Sequence, residues 1–536
     1  MQRWNPKAEL SRQEQFLLKR LTRTRKLFAF LRERRSELFD DGFQAELETM
    51  YRDTGAGIEP KPPAMMAMAM LLQGYVGASD AEAVELTIVD LRWQMVLGCL
   101  GAQEPAFSQG ALQAFRERMI RTKNDIRLLE RTRELARSTG AYDPKKLPQG
   151  LRVAIDSAPL EGAGRVEDTV NLLAHAARKV VECAAVLLEQ DFEQICRDAG
   201  IPLLLGTSVK KALDVEWSDP AQKTEAIDRL VRQVTALLRW VSKRLPEAIK
   251  ELPLSESVET LKQLIEQDIE PDPGGGSRIR KGVAEDRRVS VEDGEMRHGR
   301  KSKSKRFNGY KRHIATDLDT HLILACAITP ANRPEEEALP AIEADLARLG
   351  QRIDELHIDR GYINSPMVDA VIGVGGKILC KPWVPRNAHP DIFTKAVFKI
   401  DTRSMTITCP AGETESFLPG EVVAFDPDAC GQCPLRAQCT MAVLSNGRTV
   451  TIAPNELLQV RLRKEIASRR GRERLRERVA VEHHLAHAVR RQGRRARYVG
   501  VRKNVFDLRR AATLQNLETI QRQLSRAAEK TQAIAA

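Results

Sequence analysis

The sequence predicts a mixed α/β protein: a five-stranded mixed sheet with helices, an all-α block before it, and insertions within it. Three observations predict this. LRVAIDSAPL at 151–160 and ELHIDRGYI at 355–363 alternate apolar and polar side chains as strands do, and each then presents an aspartate, Asp156 or Asp359. Period-two patterning also marks FNGYKRHIATD at 307–317 and HLILACAITP at 321–330, a hairpin joined near Leu318–Thr320. Helical periodicity dominates the segments before and between these runs.

In chain order, residues 1–50 read as charged amphipathic helix, GAGIEPKPP at 55–63 as a break, and 64–136 as further helices, one of them capped by Ser79 or Asp80. This gives a helical domain over 1–140. The first strand, 151–156, is followed by a helical insertion over 166–270, where Ile227, Leu230, Val231, Val234, Leu237, Leu238 and Val241 keep one face. PDPGGGSRIRKG and RHGRKSKSKR bound a flexible basic linker, 271–306. After the hairpin come a helix over 335–350, the Asp359 strand, a short helix near 366–372 and a strand at 376–382. The core's first part thus runs over 148–383, a Cys-rich insertion over 384–457, and the closing helical region over 458–536.

At 536 residues with 42% hydrophobic content, the chain is long enough for roughly three or four domains. MQRWNPKAELSRQEQF holds no apolar leader core, and the longest apolar run, AMMAMAMLL at 64–72, is too short to span a bilayer, so a membrane role is excluded and a cytoplasmic place expected. Nine cysteines fit reduced thiols, some of them metal ligands. Net charge is +12, but residues 461–510 hold 18 Lys and Arg against 5 Asp and Glu, so this window carries +13 and the other 486 residues −1. A cationic stripe of this kind predicts a polyanionic partner, most simply nucleic acid.

Two strand-borne aspartates can share a divalent cation, and phosphodiester chemistry with two metals calls for a third carboxylate. RERVAVEHHLAHAVRRQGRRARYVG, 476–500, supplies one: Leu475, Val479, Glu482, Ala486 and Val489 share a helical stripe, so Glu482 stands on an otherwise apolar face. A plain salt bridge from Glu482 to Arg478 is the simpler account of that residue, and turn caps are the simpler account of each aspartate. Glu477, between Arg476 and Arg478, reads as a surface ion-pair member.

The ordered trio Asp156, Asp359 and Glu482 resembles that of bacterial insertion-sequence DDE transposases, whose catalytic domain is RNase H-like. IDRGYI resembles their second-aspartate strand, ITPANRPEEEALP their third strand and following helix, and GRRARYVGVRKNVFDLRRAATLQNL their C-terminal stretch, which ends in an Asn–Leu pair, here Asn516–Leu517. The helical block with GYVGASDAEAVELTIVDLRWQMVLG resembles the domain that precedes many such cores. Many relatives carry Tyr-x2-Arg-x3-Glu-x6-Lys; here Arg478 and Glu482 fit, but Leu475 and Val489 replace the ends, with Arg490 and Arg491 adjacent. The resemblance points to the branch with a Cys-rich insertion between the second aspartate and the glutamate.

The resemblance implies metal-dependent cleavage at element ends and strand transfer into target DNA, with two Mg²⁺ (or Mn²⁺) held by Asp156, Asp359 and Glu482. It implies double-stranded DNA as partner, at least a homodimer because two ends are cut, and a nucleoid-associated place in the cytoplasm. Arg478, Arg490, Arg491, Arg494, Arg495, Arg497, Arg502 and Lys503 are the candidate phosphate contacts. Separately, Cys430-x2-Cys433, with Cys439 and Cys409 in one 31-residue window, predicts a tetrathiolate structural Zn²⁺ site. Two other readings stay open: a nuclease or resolvase of the same fold that cuts without joining, and a non-catalytic DNA-binding regulator.

Overall fold

The strand at the centre of the molecule, β1 (Leu151–Glu161), is covered on both faces: Val153, Ala154 and Ile155 are all buried in succession. The computed structural model describes residues 2–21, 25–52, 59–302, 304–385 and 389–535. Around β1 lie β2 (Arg297–Arg300), β3 (Arg306–Asp317), β4 (Ile323–Pro330), β5 (Ile353–His357) and β6 (Lys377–Leu379). β3 runs antiparallel to β1, while β5 is parallel to β1 and β6 parallel to β5. β4 pairs with the later part of β3 and β2 with its start. The result is a curled mixed sheet of the RNase H-like kind, ordered β4-β3-β1-β5-β6 with β2 added. Gly309 sits at the crowded join of β1, β2 and β3 at φ 144°, where a Cβ would meet Gly162 N at 2.3 Å; only glycine lets the strands approach there.

Several expectations are corrected. The sheet has six strands, because Arg297–Arg300, expected in a flexible linker, pairs along β3 instead. The rest of 271–306 is also held: Arg297 pairs with Asp286 at 2.9 Å, and Tyr310 on β3 donates to Asp293 at 2.5 Å. β1 does not stop at Asp156 but continues five residues to Glu161, and β6 covers only 377–379. The charge-rich composition of 297–306 masked its pairing, since an edge strand needs few apolar residues.

Helices cover the sheet: α1 (Leu339–Ala347) against β4, α2 (Pro366–Gly373) against β5 and β6, α3 (Val479–Gln492) against β1 and β3, and α4 (Val501–Ala535) across β4 and α3. The N-terminal residues form eight helices among those described, between Arg12 and Ser138. Ser79, not Asp80, caps the helix Asp80–Val89, in a capping box with Glu82. Of the break expected at 55–63, residues 55–58 lie outside the described residues, and Pro63 opens the next helix. The insertion after β1 is helical, broken into several pieces, and has a core of its own in which Ile227, Leu230, Val234, Leu237 and Val241 are buried. The Cys-rich region packs short strands around Phe398, Ile407, Phe425 and Val450.

One side chain ties the last helix to everything else. Asn516 on α4 donates from Nδ2 to Thr132 Oγ1 and to Ile323 O, both at 2.9 Å, and accepts from Ile323 N at 2.8 Å. It thereby clamps β4 to an N-terminal helix. Asp125 makes a second clasp: buried, it accepts from Arg502 and from Arg509 at 3.0 Å, while Arg509 also holds Asp345 of α1 at 2.7 Å.

Candidate active site and nucleic-acid interface

The parallel pairing of β1 with β5 places Ala154 opposite His357. Two residues further on, each strand reaches its aspartate, so Asp156 and Asp359 emerge side by side. Asp156 is inside β1, and its Oδ1 accepts from Ser157 N at 2.9 Å. Asp359 lies just past β5, exposed, where its Oδ1 caps a turn by accepting from Arg360 N at 2.9 Å.

Glu482 comes from α3. The helix buries a different stripe from the one expected: Val481, Leu485, Ala488 and Gln492 face the sheet, Val479 is 45% exposed, and the Glu482 side chain is 51% exposed. The spacing argument that put Glu482 on the buried face is therefore corrected. The residue stands at the margin of the helix, where it overlooks the end of β1. Arg478 joins it to Asp156: its Nη2 donates to Glu482 Oε1 at 3.1 Å, and its Nη1 lies 3.4 Å from Asp156 Oδ1. That Nη1 is buried without a hydrogen-bond partner. Glu477, by contrast, is taken up by Arg152, and Glu473 by Arg469 at 3.0 Å.

A fourth carboxylate, which the sequence reading did not single out, is present. Glu335, ahead of α1, accepts from Ser157 Oγ at 2.5 Å. A Cβ on Gly361 would lie 2.3 Å from its Oε2, so the glycine after Asp359-Arg360 keeps room for it. Three glutamates at a helix start are ordinary dipole chemistry, and that is why the signal was hidden. Burial pushes the Asp156 carboxyl upward, and the charges of Glu482 and Glu335 add to this, against Arg478 and Ser157 N, which lower it. Beneath the cluster the floor is uncharged: Tyr362 OH meets buried His313 Nδ1 at 2.8 Å, and burial drives that imidazole down to about 3. Burial, then Glu335, Asp156 and Asp359 together, pushes the Tyr362 hydroxyl up.

Hard divalent cations take oxygen ligands, and this cluster offers only oxygen, with one guanidinium lodged between two of its members. The donor set fits Mg²⁺ or Mn²⁺. Cys409, Cys430, Cys433 and Cys439 line one cavity of about 300 Å³, and burial, with the other three thiols adding, raises the Cys439 thiol against the pull of Arg448. All four thiols are free, and their chemistry suits zinc. Among the described residues, however, no group of three or more His, Cys, Asp or Glu side chains is gathered as closely as a bound metal ion requires.

Beside Glu482 a groove of about 640 Å³ opens, rimmed by Arg360, Lys381, Arg463, Arg472 and Arg476 and floored in part by Trp383, itself 47% exposed. The eight expected phosphate contacts divide. Arg490, Arg494, Arg497 and Lys503 are exposed and make no ion pair among the described residues. The others are committed within the chain: Arg478 as above, Arg491 to Glu518 at 2.5 Å, Arg495 to the carbonyls of Gly162 and Ala163, and Arg502 to Asp125. No helix among the described residues is long and apolar enough to cross a membrane.

A family model described as "Transposase DDE domain" matches residues 403–521, and one described as "Transposase domain (DUF772)" matches residues 18–118. The first takes in the four cysteines, Arg478, Glu482 and the basic run but stops short of both aspartates; the second lies in the N-terminal helices. No curated protein and no solved structure matches the chain significantly.

Proposed function

We infer from its two domain matches that the chain is an insertion-sequence DDE transposase, and we propose that Asp156, Asp359 and Glu482 form its catalytic centre for metal-dependent DNA cleavage and strand transfer. What carries this reading is the β1–β5 register, which delivers the two aspartates together, with Glu482 drawn to Asp156 through Arg478.

The three carboxylates would hold two Mg²⁺ or Mn²⁺ ions. When bound, the metal supplies a water or 3′-hydroxyl of lowered pKa and neutralises charge at the leaving oxygen during in-line displacement. Arg478, held between Asp156 and Glu482, offsets the mutual repulsion of those carboxylates, a charge that a bound cation would supply in its place. Glu335 adds negative charge beside Asp156 and fixes Ser157, which holds the strand geometry from which Asp156 projects. The uncharged His313–Tyr362 floor adds no positive charge of its own beneath the carboxylates. Arg490, Arg494, Arg497, Lys503 and the rim of the Trp383 groove position the DNA backbone; such contacts set register rather than sequence.

The N-terminal helices, 1–140, recognise element ends and pair two copies, and the protein works in the cytoplasm on nucleoid DNA. In the Cys-rich region, 384–457, Cys409, Cys430, Cys433 and Cys439 would be the ligands of a structural zinc, bound as thiolates. Metal analysis of Cys430→Ser/Cys433→Ser checks this: zinc content should fall, and unchanged zinc dismisses the site.

The decisive experiment changes Asp156→Asn, Asp359→Asn and Glu482→Gln singly. Each variant should bind end DNA as before and lose Mg²⁺-dependent nicking by a factor on the order of 10²–10³. Full nicking by any of them removes that residue from the centre. Offering a pre-cut end separates transposase from nuclease, since only strand transfer joins it to target.

A further inference from the structure

Four of the nine histidines line one cavity that the carboxylate centre does not use. His483, His484 and His487 lie on α3, and His321 is set in the β3–β4 turn by a left-handed backbone at φ 58°. At about 100° per residue, His484 lies roughly 200° around the helix from Glu482, so the cavity opens on another flank. The far wall is α4, which presents Thr519, Arg522, Gln523 and Arg526 at positions i, i+3, i+4 and i+7.

The arrangement is built rather than incidental. The rings of His321 and His484 stack at 5.8 Å with 25° between planes. The Gln515 side-chain amide hydrogen-bonds His484 Nδ1 at 2.7 Å and so fixes the ring's orientation. Arg522 is steadied by Thr519 Oγ1 at 3.2 Å, and Arg526 makes no ion pair among the described residues. Among the described residues no carboxylate lines the cavity, and the nearby Glu518 is occupied by Arg491 at 2.5 Å. Six basic side chains thus share about 270 Å³ with no internal counter-ion. A cluster of this composition, with this set of N–H donors, is complementary to an anion of several oxygens. A cation fits poorly beside two arginines, and the imidazoles are not gathered as a metal ion requires.

We propose that the cavity between α3, α4 and the β3–β4 turn is a phosphate-binding site, distinct from the carboxylate centre. Arg522 and Arg526 supply the planar donors that match phosphate oxygens, and His484 and His321 form the inner wall. The phosphate group belongs either to a DNA backbone or to a free phosphorylated molecule, and the site reads the same chemistry in both.

The test uses the full-length protein with ¹³C-labelled histidine rings, in magnesium-free buffer, titrated with inorganic phosphate. The signals of His321, His484 and His487, identified from single His→Gln variants, should shift together in a saturable manner. Arg522→Gln/Arg526→Gln, changed only at exposed positions, should weaken phosphate affinity at least about tenfold. A short DNA duplex is then added to phosphate-saturated protein. Displacement of phosphate from these signals assigns the site to the backbone; retention assigns it to a free phosphorylated molecule; both uphold it. The proposal is overturned if phosphate leaves the three signals in place, if the double variant binds phosphate as well as the parent, or if Zn²⁺ rather than phosphate shifts them at stoichiometric amounts.

Discussion

Asp156 is under electrostatic tension at the candidate centre. Burial and two neighbouring carboxylates raise its pKa, so the folded chain disfavours its charged form. The sign for stability follows. Above the raised folded value the carboxylate is charged in both states and the fold carries the whole penalty; as pH falls through that value toward the ordinary carboxylate range, the penalty lifts. Asp156→Asn should therefore raise the midpoint of thermal unfolding of the metal-free protein at neutral pH, and the gain should shrink as the solution is acidified. The parent should also gain stability on adding Mg²⁺, which the variant should not. A variant melting below its parent at neutral pH would contradict this account. Two alternating runs that each reach an aspartate made Asp156 and Asp359 legible in the sequence. Glu482 was found for the wrong reason: its stripe is exposed, and the buried stripe lies toward Val481 and Leu485, because α3 meets the sheet with a narrower face than the run of apolar letters implies.

At the scale of elements, what fixes α3 over β1 is Arg312. Buried on β3, it donates to Pro159 O and Gly493 O, both at 2.9 Å, and to Gln492 Oε1 at 3.0 Å. It stitches the end of β1 to the C-terminus of the helix that carries Glu482. Arg312→Ala leaves those acceptors unpaired and should cost about 2–4 kcal/mol, read from chemical denaturation, with nicking lost in parallel. Period-two alternation made β1, β3, β4 and β5 visible. It could not show how far β1 runs past Asp156, where Ser157, Ala158 and Pro159 lack a strand's usual side chains, nor that a basic segment supplies β2; in both places pairing with β3 overrides local composition.

For the molecule as a whole, Asp125 is the joint between the N-terminal helices, α1 and α4. Asp125→Ala strands two arginines whose other partners lie on different elements, and should cost about 3–5 kcal/mol, with the N-terminal helices becoming the first part cut in limited proteolysis. Asp125 is not readable from the chain, since nothing local distinguishes it from a surface carboxylate, and Asn516 stands out only as half of an Asn–Leu pair, with nothing to show that it is a clamp. The clamp at Asn516 also has a bearing on synthesis. Its bond to Thr132 spans 384 positions. At roughly 5–20 residues per second, a ribosome needs on the order of tens of seconds to travel between them. Throughout that interval β4 lacks the helix that covers it, and the helix that carries Glu482 is among the last parts to leave the ribosome, so the candidate centre is put together only at the close of translation.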